Sequence, residues 1–228
     1  HRDLHTAYRR QRQMCIRDRF YYVARAICWL LVKIFWRVEI KGIDNIPKNG
    51  GLVLASNHVS YLDPIILGIS IKRKIYFIAK KEVFNNIFGS LLLRNLNAFP
   101  VDRGKTDIVA FKRAINILKE GKILGIFPEG TRSSNGVLQE LKIGVLKIAK
   151  KAGVPILPVG IIGTHKIYPQ GKKFPVLFKY KIVVNYGIPQ YFTDVDLKDK
   201  ESQKEVINLL SNKIRELSNL NINNHGDY

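Results

Sequence analysis

Short apolar runs alternate with amphipathic segments along most of this chain. Five runs have the length and the apolar content of buried strands: LVLAS, KIYFIAK, KILGIF, VPILPVGII and FKYKIVVNYG. Five other segments are predicted to be helical: DPIILGISI, NNIFGSLLLRNL, KTDIVAFKRAINILKEG, LKIGVLKIAKKAG and KDKESQKEVINLLSNKIRELSNL. Strands that alternate with helices predict an α/β domain.

Two local patterns refine this picture. The segment that ends at Gly121 carries four apolar residues at helical spacing: Ile108, Phe111, Ile115 and Leu118. The prolines in VPILPVGII indicate either an edge strand or a bulge, because proline cannot donate to a neighbouring strand. The stretch NAFPVDRG is expected to return to the edge of the sheet.

Residues 20–38, FYYVARAICWLLVKIFWRV, form an apolar stretch that three basic residues interrupt. On a helix, Arg25, Lys33 and Arg37 would share one side. The opposite side would be apolar, with Trp29 and Trp36 near its boundary, and would consist of Tyr22, Ile27, Leu30, Leu31, Ile34 and Phe35. This arrangement predicts a helix that lies in a membrane interface. The alternative is an amphipathic helix that packs on its own domain.

The first 19 residues differ in texture from the rest of the chain. They contain six arginines and almost no apolar periodicity, and they lack the apolar run of a secretory signal. One interpretation is a basic arm that binds nucleic acid. We favour another: QRQMCIRDR resembles translated sequencing-adapter read-through, so residues 1–19 are expected to be a non-native leader.

Size, charge and cysteine content limit the function classes. The 228 residues, of which 46% are hydrophobic and 25% charged, suffice for one globular domain. The formal charge is +20, and +16 without the first 19 residues, which favours nucleic acid, an anionic membrane or phosphorylated substrates as partners. Cys15 and Cys28 are the only cysteines and lack metal-type spacing, so we expect a reduced compartment and no metal site.

The stretch NHVSYLD contains the first candidate for chemistry. If His58 lies in the loop after the strand LVLAS and Asp63 caps the following helix, the chain can fold back and bring Asp63 to one ring nitrogen. The carboxylate would then fix the tautomer and make the other nitrogen more basic. The plainer alternative is a loop histidine followed by a helix cap, with Asp63 at the N-cap and Pro64 at the first helical position.

Two further polar stretches are candidates for ligand binding. FPEGTRS follows the strand KILGIF, and open α/β sheets bind ligands beyond such strand ends. There, Arg132 could bind phosphate bidentately, while Glu129 could hold a polyol hydroxyl or orient the arginine. FPVDRGK places Arg103 and Lys105 before a predicted helix, whose N-terminus favours an anion. A surface turn and a solvated basic turn are the respective alternatives.

Together, NHVSYLD, FPVDRG, FPEGTRS and VPILPVGI resemble, in order and spacing, the four motif blocks of the 1-acyl-sn-glycerol-3-phosphate acyltransferase family. The likeness covers roughly residues 20–187. It implies one domain over residues 39–220, with a mixed, mostly parallel sheet flanked by helices, preceded by a membrane-associated amphipathic helix at 20–38. Metal ions and cofactors are not part of the implied reaction.

The resemblance also implies the reaction and its residues. An acyl group would pass from acyl-CoA or acyl-carrier protein to the sn-2 hydroxyl of lysophosphatidic acid, giving phosphatidic acid. His58 would be the general base, oriented by Asp63, and Asn57 and Ser60 would lie beside it without an assigned role. Binding of the acceptor is implied for Arg103, Glu129, Gly130, Thr131 and Arg132.

The family's acceptor lives in a bilayer, and both substrates are anionic. We therefore expect a peripheral or monotopic protein on the cytoplasmic face of the cell membrane, with an anionic membrane surface as partner and without nucleic acid. One alternative is an acyltransferase with another acceptor, such as glycerol-3-phosphate, a lysophospholipid or an aminolipid. The other is a basic binding protein without enzymatic activity.

Overall fold

A seven-stranded sheet forms the centre of the molecule. The computed structural model describes residues 21–85, 97–101, 107–192 and 195–219. The strands are β1 (Arg37–Lys41), β2 (Leu52–Ser56), β3 (Ile75–Lys80), β4 (Ala98–Val101), β5 (Ile123–Ile126), β6 (Ile156–Ile162) and β7 (Lys181–Tyr186). They lie in the order β1-β7-β6-β2-β5-β3-β4.

The five strands from β6 to β4 are mutually parallel, whereas β7 pairs antiparallel with β6 and β1 pairs parallel with β7. The predicted α/β domain with a mixed, mostly parallel sheet is therefore confirmed. Because β7 and β1 run in the opposite direction, their first residues lie at the same edge of the sheet as the last residues of β2, β5 and β6.

Helices cover both faces of the sheet. Residues 21–35 are helical and are called α1. The others are α2 (Asp63–Ser70), α3 (Ile108–Lys119), α4 (Gly144–Ala152), the short α5 (Thr164–Ile167) and α6 (Lys200–Asn219). Short 3-10 helices follow β1 at Ile43–Asn45 and β3 at Lys81–Asn85.

Two apolar layers hold these helices on the sheet. Leu52 and Leu54 point to the face that α1 and α2 cover, and Val53 and Ala55 point to the face that α3, α4 and α6 cover. All four side chains are fully buried. Strand β2 lies in the middle of the sheet and is buried on both faces, as its uninterrupted apolar sequence predicts. The residues just after it are thereby held in a fixed place.

Helix α1 ends earlier than predicted. It ends at residue 35, and Arg37 already pairs with Lys181 in the sheet, so a helix to residue 38 was wrong. Arg37 therefore lies on β1 and does not share a helix face with Arg25 and Lys33. Arg25 donates to the carbonyl of Lys72 at 3.0 Å. Pairing of β1 with β7 overrides the helical periodicity of the sequence.

One face of α1 packs on the domain and another is exposed and apolar. Tyr21 and Val32 are buried, as is Trp36 just after the helix. The exposed apolar residues are Tyr22, Val23, Ile27, Trp29, Leu30, Leu31 and Ile34. The helix therefore packs on its own domain and also presents an exposed apolar surface, and its contact with a membrane stays a prediction. Among the described residues, the structure contains no helix long and apolar enough to cross a membrane.

Two other predictions need correction. Of the two alternatives that the prolines of β6 indicated, the edge strand is wrong, because β6 lies between β2 and β7. Pro158 is tolerated because the pairing with β7 shifts by one residue between Val159↔Tyr186 and Ile156↔Gln190, which makes a bulge on the β7 side. In α3, Ile108 is exposed, and the buried stripe is formed by Ala110, Ala114, Ile115, Ile117 and Leu118.

Strand β4 lies at one edge of the sheet, as expected for NAFPVDRG, and β1 lies at the other. Helix α4 begins at Gly144, three residues later than the segment LKIGVLKIAKKAG predicts, and Leu141 is buried in the preceding loop. The helix predicted for NNIFGSLLLRNL lies, apart from its first residue, outside the described residues.

Candidate active site

The candidate site forms where β2, β5 and β6 end. These strands are neighbours and parallel, so the segments that follow them emerge at one edge of the sheet. The segment after β2 carries His58 and Asp63, the segment after β5 carries FPEGTRS, and the segment after β6 carries Thr164. Ser133 N–H donates to the carbonyl of His58 at 2.8 Å, which ties the first two segments together.

The side chains of His58 and Asp63 form a hydrogen-bonded pair. His58 Nδ1 lies 2.9 Å from Asp63 Oδ2, and the same oxygen accepts the backbone N–H groups of Val59 at 2.7 Å and Ser60 at 2.8 Å. The Asp63 side chain is fully buried, whereas 16% of the His58 side chain is exposed. The predicted fold-back is therefore present, and Nε2 is the ring nitrogen not bound to Asp63.

Asp63 does not cap the following helix. It is the first residue of α2, and Leu62 occupies the N-cap position without a side-chain hydrogen bond. The N-cap prediction was wrong because the carboxylate turns back into the NHVSYLD loop, where two backbone donors and the imidazole compete for it. Pro64 does lie in the first helical turn, as expected.

Thr164 completes the surroundings of Asp63 and was not identified from the sequence. Its hydroxyl donates to Asp63 Oδ1 at 2.7 Å, and the residue is fully buried. The carboxylate thus accepts four hydrogen bonds. A threonine just beyond the end of a strand next to β2 was the available signal, but its partner lies 101 residues earlier in the chain.

Asn57 and Ser60 hold the NHVSYLD loop against the neighbouring segments. The Asn57 amide donates to the carbonyl of Ile161 at 2.9 Å and accepts the N–H of the same residue at 2.8 Å, which extends the pairing of β2 with β6. Ser60 Oγ donates to the carbonyl of Tyr168 at 2.8 Å. Both residues therefore position the loop, a role that the sequence left open.

Glu129 joins the two loops on either side of the site. Its Oε1 accepts the N–H of His58 at 2.6 Å and its Oε2 accepts the N–H of Gln139 at 2.8 Å. Burial raises the pKa of Glu129 to about 7, while these two N–H groups act in the opposite direction and Asp63 adds to the rise. Both protonation states of this carboxyl group are therefore populated near neutral pH. Glu129 was expected to hold a polyol hydroxyl or to orient Arg132, and the structure shows neither contact. Instead, its carboxylate connects the FPEGTRS segment to the backbone of His58.

Aromatic rings fix the plane of the imidazole. The His58 ring stacks on Phe127 with 4.0 Å between centroids and 19° between planes, and Phe127 in turn stacks near Phe77 at 6.2 Å. Because Nδ1 is bonded and one face of the ring is covered, His58 has a single orientation. Proton transfer through Nε2 is the chemistry that this orientation allows.

Arg132 lies over an aromatic ring with one nitrogen unused. Its guanidinium carbon is 3.4 Å from the centroid of Tyr61, and its Nη1 is buried without a hydrogen-bond partner. A buried guanidinium nitrogen without a partner is costly, and an anionic ligand would satisfy it. The FPEGTRS segment therefore offers a cation next to the His58–Asp63 pair.

The other predicted binding residues differ in what the structure shows. Gly130 has a positive φ of 74°, and the side chain of Lys142 fills the space where a Cβ would be, so glycine suits this turn. Thr131 is exposed. Arg103 and Lys105 lie outside the described residues. Within the described ranges, no group of histidine, cysteine and acidic side chains could hold a metal ion.

The fold and the site together define an acyltransferase. Residues 37–162 match the family model described as Acyltransferase. The chain is 35% identical over 184 residues to the 1-acyl-sn-glycerol-3-phosphate acyltransferase of Bacillus subtilis (strain 168), covering 80% of this chain and 88% of that protein.

A solved structure and a plant relative agree with this class. The crystal structure of the 1-acyl-sn-glycerophosphate (LPA) acyltransferase PlsC from Thermotoga maritima matches with a TM-score of 0.69 and 28% identity, over 90% of this chain and 82% of that one. A chloroplastic 1-acyl-sn-glycerol-3-phosphate acyltransferase of Brassica napus is 30% identical over 84% of this chain, which spans 57% of that protein's length. The chain belongs to the 1-acyl-sn-glycerol-3-phosphate acyltransferase family.

Proposed function

We propose that this enzyme transfers a fatty acyl group from a thioester to the sn-2 hydroxyl of 1-acyl-glycerol-3-phosphate, and that the product, phosphatidic acid, enters phospholipid biosynthesis. The observation that carries the proposal is the hydrogen-bonded His58–Asp63 pair. The adjoining FPEGTRS segment carries Arg132, whose Nη1 is buried without a hydrogen-bond partner. The first group handles a proton, and the second attracts a phosphate. The names of the relatives support the same acceptor.

The chemical step uses Nε2 of His58. It takes the proton of the acceptor hydroxyl while the hydroxyl oxygen bonds to the thioester carbonyl carbon. The C–S bond then breaks, and the thiolate leaves with the proton that the imidazolium returns. Asp63 holds the ring through Nδ1 and stabilises the transient positive charge. The four hydrogen bonds to the Asp63 carboxylate hold it in one position throughout the reaction.

Binding of the acceptor falls to the segment after β5. Arg132 would bind the phosphate through Nη1, and Arg103, which follows β4, would add a second positive charge. The turn at Gly130 and Thr131 would lie against the glycerol. Glu129 contributes by holding this segment to the backbone of His58, so that the phosphate site and the base keep a constant separation.

The donor and the location of the enzyme follow from charge and exposed surface. Acyl-CoA and acyl-carrier protein are both anionic, and the chain has 38 basic against 18 acidic residues. The exposed apolar face of α1 would lie in an anionic membrane surface. The enzyme would then work as a peripheral or monotopic protein on the cytoplasmic face of the cell membrane.

A substrate panel tests the proposal. Thiol release is measured with palmitoyl-CoA or palmitoyl-carrier protein as donor and lysophosphatidic acid, glycerol-3-phosphate, lysophosphatidylcholine or an aminolipid as acceptor. We expect kcat/KM for lysophosphatidic acid to exceed that for each other acceptor by at least about tenfold, because only it offers both a phosphate monoester and an acyl chain. A higher kcat/KM for another acceptor would reassign the enzyme within the family, and acceptor-independent release would refute acyl transfer.

Thr164→Val is expected to lower kcat about tenfold with little change in KM for the acceptor. Valine has the shape of threonine but cannot donate to Asp63 Oδ1, and a hydrogen bond to a buried carboxylate contributes about 1.5–3 kcal/mol. Asp63 would then orient the imidazole less well. Steady-state kinetics over a range of acceptor concentrations separates kcat from KM.

Thr164→Ser is the matched control, because it keeps the hydroxyl and removes only a methyl group. Its kcat should stay within about threefold of the wild type. Equal losses in both variants would show that the site needs the packing of the methyl group and not the hydrogen bond. A higher KM at unchanged kcat would place Thr164 in substrate binding instead.

A further inference from the structure

The loop between α5 and β7 exposes large apolar side chains that the proposed chemistry does not use. We call residues 172–179 the Phe174 loop. Within it, Phe174 is 79% exposed and Phe178 is 71% exposed, and Leu177 is exposed as well. Three such side chains within five residues form a largely exposed apolar patch, and patches of this kind mark interaction surfaces.

The backbone of this loop is fixed, so its side chains are held outward. Val176 N–H donates to the carbonyl of Ile167 at 2.9 Å, and the carbonyl of Val176 accepts Trp36 Nε1–H at 2.8 Å. Phe178 N–H donates to the carbonyl of Phe35 at 3.0 Å. The loop is thereby attached to α5 on one side and to the end of α1 on the other.

Phe178 adopts a backbone conformation that bulky residues avoid. Its φ is +61°, in the left-handed region where glycine and asparagine are usual. Its ring meets Phe35 edge to face, with 5.3 Å between centroids. The strain needs a compensating gain, and burial of the exposed ring in another medium would supply it.

The Phe174 loop continues the exposed apolar surface of α1. Phe35, which Phe178 contacts, is the last residue of the helix, and Ile34, Leu31 and Leu30 next to it are all exposed. The pairing of Ile162 with Val183 places the start of β7, and therefore the end of this loop, at the edge of the sheet where the active site lies. The bond from Ser60 Oγ to the Tyr168 carbonyl links the start of the same connection to the NHVSYLD loop.

The loop and the residues that flank it in the chain carry only positive charges. Residues 163–182 contain five lysines and no acidic residue. Three of the lysines, Lys172, Lys173 and Lys179, lie within the loop itself and are exposed. Aromatic and aliphatic side chains among lysines fit the boundary between acyl chains and anionic head groups.

We infer that the Phe174 loop is a second lipid-contacting element, which inserts Phe174, Leu177 and Phe178 into an anionic bilayer beside α1 and holds the mouth of the active site at the lipid surface. The inference rests on the proposed function, because a bilayer-resident acceptor is what gives such contact a purpose. A protein partner, such as an acidic carrier protein, would meet the lysines but not the protruding phenylalanines, so a bilayer is the better match.

The test measures binding of the full chain to vesicles. The probe is a sedimentation assay with vesicles of 70% phosphatidylcholine and 30% phosphatidylglycerol, compared with pure phosphatidylcholine. The variant Phe174→Ser combined with Phe178→Asn removes both rings, and asparagine suits the positive φ. We expect its partition coefficient on anionic vesicles to fall by about tenfold or more, since each buried ring contributes to binding in proportion to its area.

Ile188→Ser combined with Tyr191→Ser is the matched control. These residues are 71% and 66% exposed and follow β7, at the opposite edge of the sheet. The control should bind vesicles like the wild type. Equal binding by the Phe174/Phe178 variant and the wild type, or equal loss in the control, would overturn the inference. Unchanged vesicle binding together with weaker binding of acyl-carrier protein would also overturn it and identify a protein surface.

A second variant tests the lysines and separates the inference from the proposed function. Lys172→Gln with Lys173→Gln and Lys179→Gln is expected to weaken binding about tenfold or more on anionic vesicles and to leave binding to phosphatidylcholine unchanged. Thiol release in detergent micelles, where no bilayer is needed, should stay within about threefold of the wild type for all loop variants. Loss of vesicle binding with normal acyl transfer would support lipid contact by the Phe174 loop. Absence of acyl transfer in the wild type would refute the proposed enzymatic function but not the membrane contact.

Discussion

Replacing His58 with alanine is expected to lower kcat for acyl transfer by about 10²–10⁴-fold, the usual contribution of a positioned general base. The hydroxyl of the acceptor holds its proton tightly, and His58 Nε2 is the nitrogen that the structure leaves unbound for removing it. The thiol-release assay with lysophosphatidic acid measures kcat of the variant and the wild type.

The variant should still fold, since the backbone of residue 58 is bonded to Glu129 and Ser133 whatever its side chain. His165→Ala is a suitable control, because His165 lies on the neighbouring segment and its ring packs on Gly136. Its kcat should stay within about threefold of the wild type. Wild-type kcat in His58→Ala, or an equal loss in both variants, would rule out His58 as the base.

The fold was predictable from the sequence to the extent that local pattern decides it. The apolar runs gave the buried strands, and Gly121 marked the end of α3, because these signals act within a few residues. The errors arose where distant pairing wins. Arg37 has a helical pattern but pairs with Lys181. The prolines of β6 left an edge strand and a bulge open, and the pairing with the distant β7 segment decides for a bulge, just after Tyr186.

The candidate site was predictable as far as local sequence pattern determines it, and not where contacts between distant residues do. NHVSYLD and FPEGTRS were each predicted to follow a buried strand. Because β2 and β5 are parallel neighbours, the two segments meet at one edge of the sheet, as the backbone bond from Ser133 to His58 shows. The contacts of Thr164 with Asp63 and of Ser60 with Tyr168 span 101 and 108 residues. Short hydroxyl side chains carry no sequence signal for such partners, so the structure alone reveals their positioning role.

Replacing Asp63 with asparagine is expected to lower kcat by about 10²–10³-fold while the protein remains folded. Loss of the carboxylate removes the charge that stabilises the imidazolium in the transition state. Steady-state kinetics with lysophosphatidic acid, together with thermal unfolding, measures kcat and stability.

The surroundings of Asp63 explain why the variant can fold. An amide oxygen in the place of Oδ2 can still accept the N–H groups of Val59 and Ser60 and the ring of His58. The amide nitrogen would then face Thr164, whose hydroxyl can rotate and accept instead of donating. Geometry is therefore largely kept, and the loss in kcat reports on charge.

Asp199→Asn is the control variant. It distinguishes the effect of losing the Asp63 charge beside His58 from the effect of replacing any hydrogen-bonded carboxylate by an amide. The Asp199 carboxylate also accepts a backbone N–H and a hydroxyl, both from Ser202, but at the exposed start of α6. Its replacement should lower the unfolding temperature slightly through the weakened cap and leave kcat unchanged. If Asp63→Asn behaved like Asp199→Asn, with lower stability and normal kcat, the carboxylate would be a structural tie of the NHVSYLD loop and His58 would act without it.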